Sequence, residues 1–136
     1  MRMLAPAAPA RDVPADELRG TPAIRRLKTY RAESGFTWSY HYEGYRQEAT
    51  PRAAQAFVFT LQGGSGPAGR LLIVIPESTL ASVRERTGVS VSSREAYALA
   101  KMHLFSVLDR EEPPEPDSRW ELDLDTALAI WEQLDL

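Results

Sequence analysis

Two β-prone runs, Gln55–Leu61 and Leu71–Ile75, flank a glycine-rich stretch, Gln62–Arg70, and no other feature constrains the fold as tightly. Aromatic and β-branched residues suit a pleated, half-buried surface, and glycines between two such runs permit the backbone of a hairpin loop. Leu71–Ile75 is apolar at every position, as expected of a central strand covered on both faces. The loop also spells G-x-G-x-x-G at Gly64, Gly66 and Gly69. In a dinucleotide-binding fold such glycines open a helix whose N-terminus holds the pyrophosphate, whereas here they open a strand. A kinase-type glycine loop needs a lysine on the strand that follows, and Leu71–Ile75 has none. The motif therefore predicts a hairpin and no cofactor.

A second sheet signal precedes it. From Ile24 to Arg46 the chain reads as β structure, with Ser34–Gly35 as a turn or bulge. Phe36, Trp38, Tyr40 and Tyr42 share one parity, and Thr37, Ser39, His41 and Glu43 the other, the period of a half-buried strand. Tyr42 and Tyr45 have opposite parity, so Gly44 between them predicts a bulge or a strand end.

The period then changes. Pro76 closes the last strand, Glu77–Arg86 reads as a short helix, and Gly88 stands where a helix C-cap places glycine. Ser92 and Glu95 form a capping-box pattern. The helix they open runs to Leu108, with a wide apolar face suited to packing on a sheet. The acidic, proline-rich stretch after it is one that no helix crosses. Trp120, Leu122 and Leu124 alternate as a strand, while Ser118 with Glu121 offers a competing capping box. The preferred reading is an extended stretch to Leu124 and then a helix capped by Asp125. The expected architecture is α+β: a three- to four-stranded antiparallel sheet with two helices packed on one face (β-β-β-α-α). Residues 1–22 are expected as a flexible arm, 23–110 as the core domain and 111–118 as an acidic linker. Residues 119–136 are expected to end in a helix docked on the core or on a partner.

With 136 residues, the chain is long enough to bury a core as one domain. It has no cysteine, which excludes disulfides, thiolate metal sites and cysteine nucleophiles. The longest strongly apolar run is far shorter than a membrane span, and the proline-interrupted N-terminus lacks the apolar core of a signal peptide. A cytoplasmic location is expected. Arginine and alanine abundance reads as the coding bias of a GC-rich bacterial genome. Net charge is −3 but uneven: residues 1–70 carry +4 and residues 71–136 carry −7. Either the halves attract each other, within one chain or across a dimer, or two surfaces serve different partners.

The aromatic strand, with Arg25, Arg26, Lys28, Arg31, Arg46 and Arg52 nearby, is the main candidate surface. Trp38, Tyr40, Tyr42, Arg31 and Arg46, together with Trp131 of the terminal helix, form the predicted binding set. Exposed aromatics beside arginines stack bases and neutralise phosphates, while the same parity in a half-buried strand also builds a core. His41, Glu43 and His103 are the candidate polar site. Same-face neighbours on a strand lie ~7 Å apart, so Ser39, His41 and Glu43 do not form a triad unaided. Two histidines without cysteine make a poor zinc set, and Asp123 and Asp125 lack the pattern of a calcium loop. No catalytic, cofactor-binding or metal residue is assigned.

The expected function is a non-catalytic binding or adaptor domain acting through protein–protein contacts, with a protein partner or a second copy (a homodimer) and no membrane partner. The alternative is nucleic-acid binding or regulation through the basic aromatic strand, which requires Trp38 and Tyr40 to be exposed. A third reading is a small-ligand or enzymatic pocket in which His41, Glu43 and His103 converge.

Overall fold

A computed structural model of the chain describes residues 18–63, 69–110 and 112–134. Residues 1–17 of the expected arm and residues 64–68 of the expected glycine loop lie outside the described residues. The order of elements is β1 (Lys28–Arg31), β2 (Thr37–Glu48), β3 (Ala54–Gly63), β4 (Gly69–Pro76), α1 (Glu77–Thr87), α2 (Ser93–Leu108), β5 (Ser118–Glu121) and α3 (Leu124–Leu134). The strands form one five-stranded sheet in the order β1-β2-β3-β4-β5.

This corrects the expected architecture. The sheet is mixed: β1 to β4 run antiparallel as a meander, and β5 returns parallel to β4 with Leu71 opposite Ser118 and Val74 opposite Glu121. Three helices rather than two stand among the described residues. Parallel neighbours need a crossover of a dozen or more residues, and α1 and α2 supply it. β4 is an inner strand, with β3 on one side and β5 on the other, and its two apolar faces are buried separately, Leu71, Ile73 and Ile75 under the helices and Leu72 and Val74 on the opposite face. The stretch from Ile24 to Arg46 resolves into two strands, turned at Gly35 (φ 93°), whose amide donates to the Ala32 carbonyl.

The helices lie on one face of the sheet. Trp38 and Tyr40 of β2, Phe57, Phe59 and Leu61 of β3, and Leu71, Ile73 and Ile75 of β4 form a single core with Val83, Leu99, Leu104, Ile130 and Trp131. The capping box at Ser92 is formed in full, Ser92 and Glu95 each bonding the other's backbone N–H. Gly88 adopts the left-handed C-cap conformation with its N–H on the Arg84 carbonyl. α3 packs against α1 and α2. Its N-terminal cap is Asp123 and not Asp125: Asp123 Oδ1 accepts from the Thr126 N–H at 2.8 Å.

The opposite face carries a shallow apolar floor of Ala54, Ala56, Val58, Leu72 and Val74, against which Leu18 packs. Glu48 of β2 and Arg119 of β5 meet across it in a two-pronged pair at 2.7 and 2.9 Å, and Arg46 adds a third bond at 3.1 Å. Two strands intervene, so the pair spans three interstrand spacings, ~14 Å. Alanine at 54 and 56 keeps the floor low where these long side chains cross.

Candidate binding surface at the β1 edge

The bulge expected at Gly44 is present. The β2–β3 register shifts between Tyr42 and Gly44, so that Tyr42 lies opposite Phe59 and Tyr45 opposite Phe57. Both tyrosines consequently face the helices despite their opposite parity, stacking on Phe57 and Phe59. Gly44 has φ 122°, and a Cβ there would sit 2.7 Å from Thr21 Oγ1 and 2.8 Å from the Arg19 carbonyl oxygen. The bare backbone admits the entering chain, and Arg19 and Tyr45 exchange backbone hydrogen bonds of 2.7 and 2.9 Å. That entry positions the segment running to β1. Arg25 then clasps Glu43, with its Nη2 2.6 Å from Oε2, and Thr60 Oγ1 donates to the same oxygen at 2.6 Å. These bonds, those to Arg25 first, hold the Glu43 carboxyl below the usual carboxylate range.

Residues 22–28 leave a cavity of about 380 Å³ between themselves, β2 and α2. Tyr42 and Tyr97 form its inner wall, their rings 4.5 Å apart, and Pro22, Ile24, Arg26 and Lys28 form the outer wall. Burial raises the phenol pKa of both tyrosines, so both stay protonated and able to donate at neutral pH. Lys101 lies one helical turn beyond Tyr97, and burial followed by the charge of Lys28 lowers its pKa. Ile24 is 64% exposed and Leu27 55%, unusual for large aliphatic side chains. Arg26, Lys28 and Arg31 have no ion-pair partner among the described residues.

The sequence-predicted residues divide among three places. Trp38 and Tyr40 are buried, at 5% and 2% exposure, and Tyr40 meets Phe105 of α2 edge-on. They are core, and the exposure that base stacking on these two side chains requires is absent. Tyr42 lines the cavity, whereas Arg31 of β1, opposite Thr37, lies on the other face of the strand from Lys28 and does not line it. Arg46 is on the other face, held by Glu48, and Trp131 is buried in the core at 6%. These two are corrected as members of one surface with Tyr42.

The polar set does not converge. Opposite parity puts His41 across from Thr60 on the helix-free face, where Thr60 bonds Glu43. His103 is on α2, near Asp123, with burial lowering its pKa. The sheet separates the two histidines, so His41, Glu43 and His103 do not line one space. Among the described residues neither buried Nδ1, of His41 or of His103, finds a hydrogen-bond partner. Among the described residues no cluster of three or more His, Asp or Glu is placed to hold a metal ion. No helix there is long and apolar enough to cross a membrane.

Sequence reading gave no weight to Ile24, Leu27 and Tyr97 as surface residues. Ile24 and Leu27 stand three apart, which breaks strand alternation inside a stretch that otherwise reads as β structure; that mismatch was the available signal. Tyr97 reads as one more residue of the apolar helix stripe, and only the path of residues 22–28 gives it a cavity to face.

The fold and its surface define a small α+β domain: a five-stranded mixed sheet, helices on one face and a basic, partly apolar edge. No protein-family model, curated protein or solved structure matches the chain.

Proposed function

We propose that this domain is a non-catalytic binding module that recognises a partner protein along its β1 edge, taking an extended segment with acidic and apolar residues. The observation that carries the reading is the exposure of Ile24 and Leu27 beside three cations, Arg26, Lys28 and Arg31, that lack ion-pair partners among the described residues. β1 ends the sheet, and an edge strand offers backbone donors and acceptors to an added strand. The charges select the occupant. In a centred two-fold pairing of β1 with a second copy, Lys28 would lie against Arg31, and directly opposed like charges disfavour that register. An acidic strand meets the same edge with attraction, and the aliphatic pair supplies apolar contact.

The test is selection from a random peptide display library against the whole chain and against an Arg26→Glu/Lys28→Glu double variant. Enrichment of acidic, aliphatic-containing peptides on the first and their loss on the second is expected. Failure to enrich any sequence, or enrichment of sequences without acidic residues, overturns the reading.

A further inference from the structure

The cavity behind the edge has a chemistry of its own, and the inference drawn from it rests on the reading of this side as the recognition surface. Its wall combines two phenol rings with Pro22 and Ile24, which suits a flat or branched apolar body. Arg26 and Lys28 bring two positive charges, Lys101 stands close enough to Lys28 to feel its charge, and among the described residues no carboxylate lines the space. Cations gathered without counter-charge raise the local potential for an anion. Guanidinium, ammonium and phenol groups are all hydrogen-bond donors, and only the phenols can also accept. At about 380 Å³ the cavity falls at the small end of ligand-sized pockets.

We propose that the cavity bounded by residues 22–28, Tyr42 and Tyr97 is a binding site for an oxyanion group, carboxylate or phosphate, carried on a small apolar or aromatic body. Arg26 and Lys28 neutralise the oxyanion, the Tyr42 and Tyr97 hydroxyls orient it, and Pro22 and Ile24 cover the body. A free metabolite and a side chain of the bound partner segment present the same chemistry here.

The experiment is an NMR titration of the full chain with benzoate, phenyl phosphate and benzyl alcohol, which share a ring and differ in the head group. Benzoate or phenyl phosphate is expected to shift the ring signals of Tyr42 and Tyr97, and benzyl alcohol to leave them unmoved. An Arg26→Gln/Lys28→Gln variant should bind the responding anion at least about tenfold more weakly, the scale of one lost charge-assisted hydrogen bond. Tyr97→Phe should bind it more weakly while keeping the shift at Tyr42. Equal response to benzyl alcohol, undiminished binding by the charge-neutralised variant, or no response to either anion overturns the proposal. Enriched peptides separate the sources. If they compete with benzoate, and lose the competition when their acidic residue becomes an amide, the oxyanion is a partner side chain; if they bind without competing, it is a free small molecule. Anion binding with no enriched peptide would end the partner reading and leave the anion site standing. Peptide binding that no anion disturbs, with no anion response, would do the reverse.

Discussion

Two glycines with positive φ show how much of this fold rests on single residues. Gly44 (φ 122°) has the entering chain within 2.8 Å of where a Cβ would stand, whereas Gly88 (φ 77°) has open space around it. Gly44→Ala therefore combines backbone strain with a collision against backbone atoms, and a loss of about 2–4 kcal/mol is expected, strain alone being of order 1–3. Gly88→Ala carries only the left-handed penalty, about 1 kcal/mol. Urea midpoints for the two variants check the order, and equal losses would mean that the segment at Arg19 yields freely. His103 sets a pH dependence. Burial, opposed in part by Asp123, lowers its pKa below the ordinary value of 6.5. The unfolded chain then takes up the proton first as pH falls, so this contribution is present above pH 6.5 and is lost as pH falls through the native value. The slope is at most about 1.4 kcal/mol per pH unit. His103→Gln should flatten the unfolding free energy as pH falls below the ordinary histidine value of 6.5. Glu43 and Glu48, whose pKa values are lowered from 4.5 by Arg25 and Arg119 respectively, act only at lower pH. A slope that survives the substitution would assign it elsewhere.

At the scale of elements, what the sequence disclosed is what local chemistry decides. The Ser92–Glu95 box, the Gly88 cap and the Gly44 bulge are each written within a few residues and each stands in the structure. Ser92→Ala should accordingly cost about 1 kcal/mol, read from thermal unfolding. What the sequence hid is non-local. β5 is four residues long and pairs in parallel across the α1–α2 crossover, and nothing near Ser118 names β4 as its neighbour. Trp38 and Tyr40 alternate as a half-buried strand does, but alternation says which residues share a face and not which face is covered. Asp109 gives a third instance. It sits in an acidic stretch that reads as solvated, yet Oδ2 accepts from the Tyr30 hydroxyl at 2.8 Å and Oδ1 from the Glu33 N–H at 2.9 Å. It thereby ties the end of α2 to the β1–β2 turn, with Tyr30 stacked on Phe105 at 4.0 Å. The candidate surface was half legible for the same reason: its cations and Tyr42 were visible, its cavity was not.

Over the whole molecule, few of the ion pairs found among the described residues join the basic half of the chain to the acidic half. Of the four ion pairs found among the described residues, only Arg52–Glu121 joins a base of the first half to an acid of the second, and Arg119–Glu48 runs the other way. Neither charge is confined to one end of the sheet: Arg52 of the first half reaches Glu121 of β5, and Asp109 of the second half bonds Tyr30 of β1. What ties β5 to β2 on the helix-free face is the Arg119–Glu48 pair, reinforced by Arg46. Glu48 is 11% exposed and Arg119 39%, so screening weakens the pair less than a surface bridge. Removing Arg119 leaves Glu48 with one weaker partner above an apolar floor and releases the sheet's outermost strand. Arg119→Ala is expected to lower stability by about 1–3 kcal/mol. Because Glu48 keeps its negative charge, Glu48→Gln/Arg119→Ala should recover part of that loss, and the double-mutant cycle isolates the coupling. Hydrogen exchange locates the effect: amides of β5 should lose protection while those of β2 and β3 keep theirs. Uniform loss across the sheet would instead make the pair a contributor to global stability with no special hold on the edge strand.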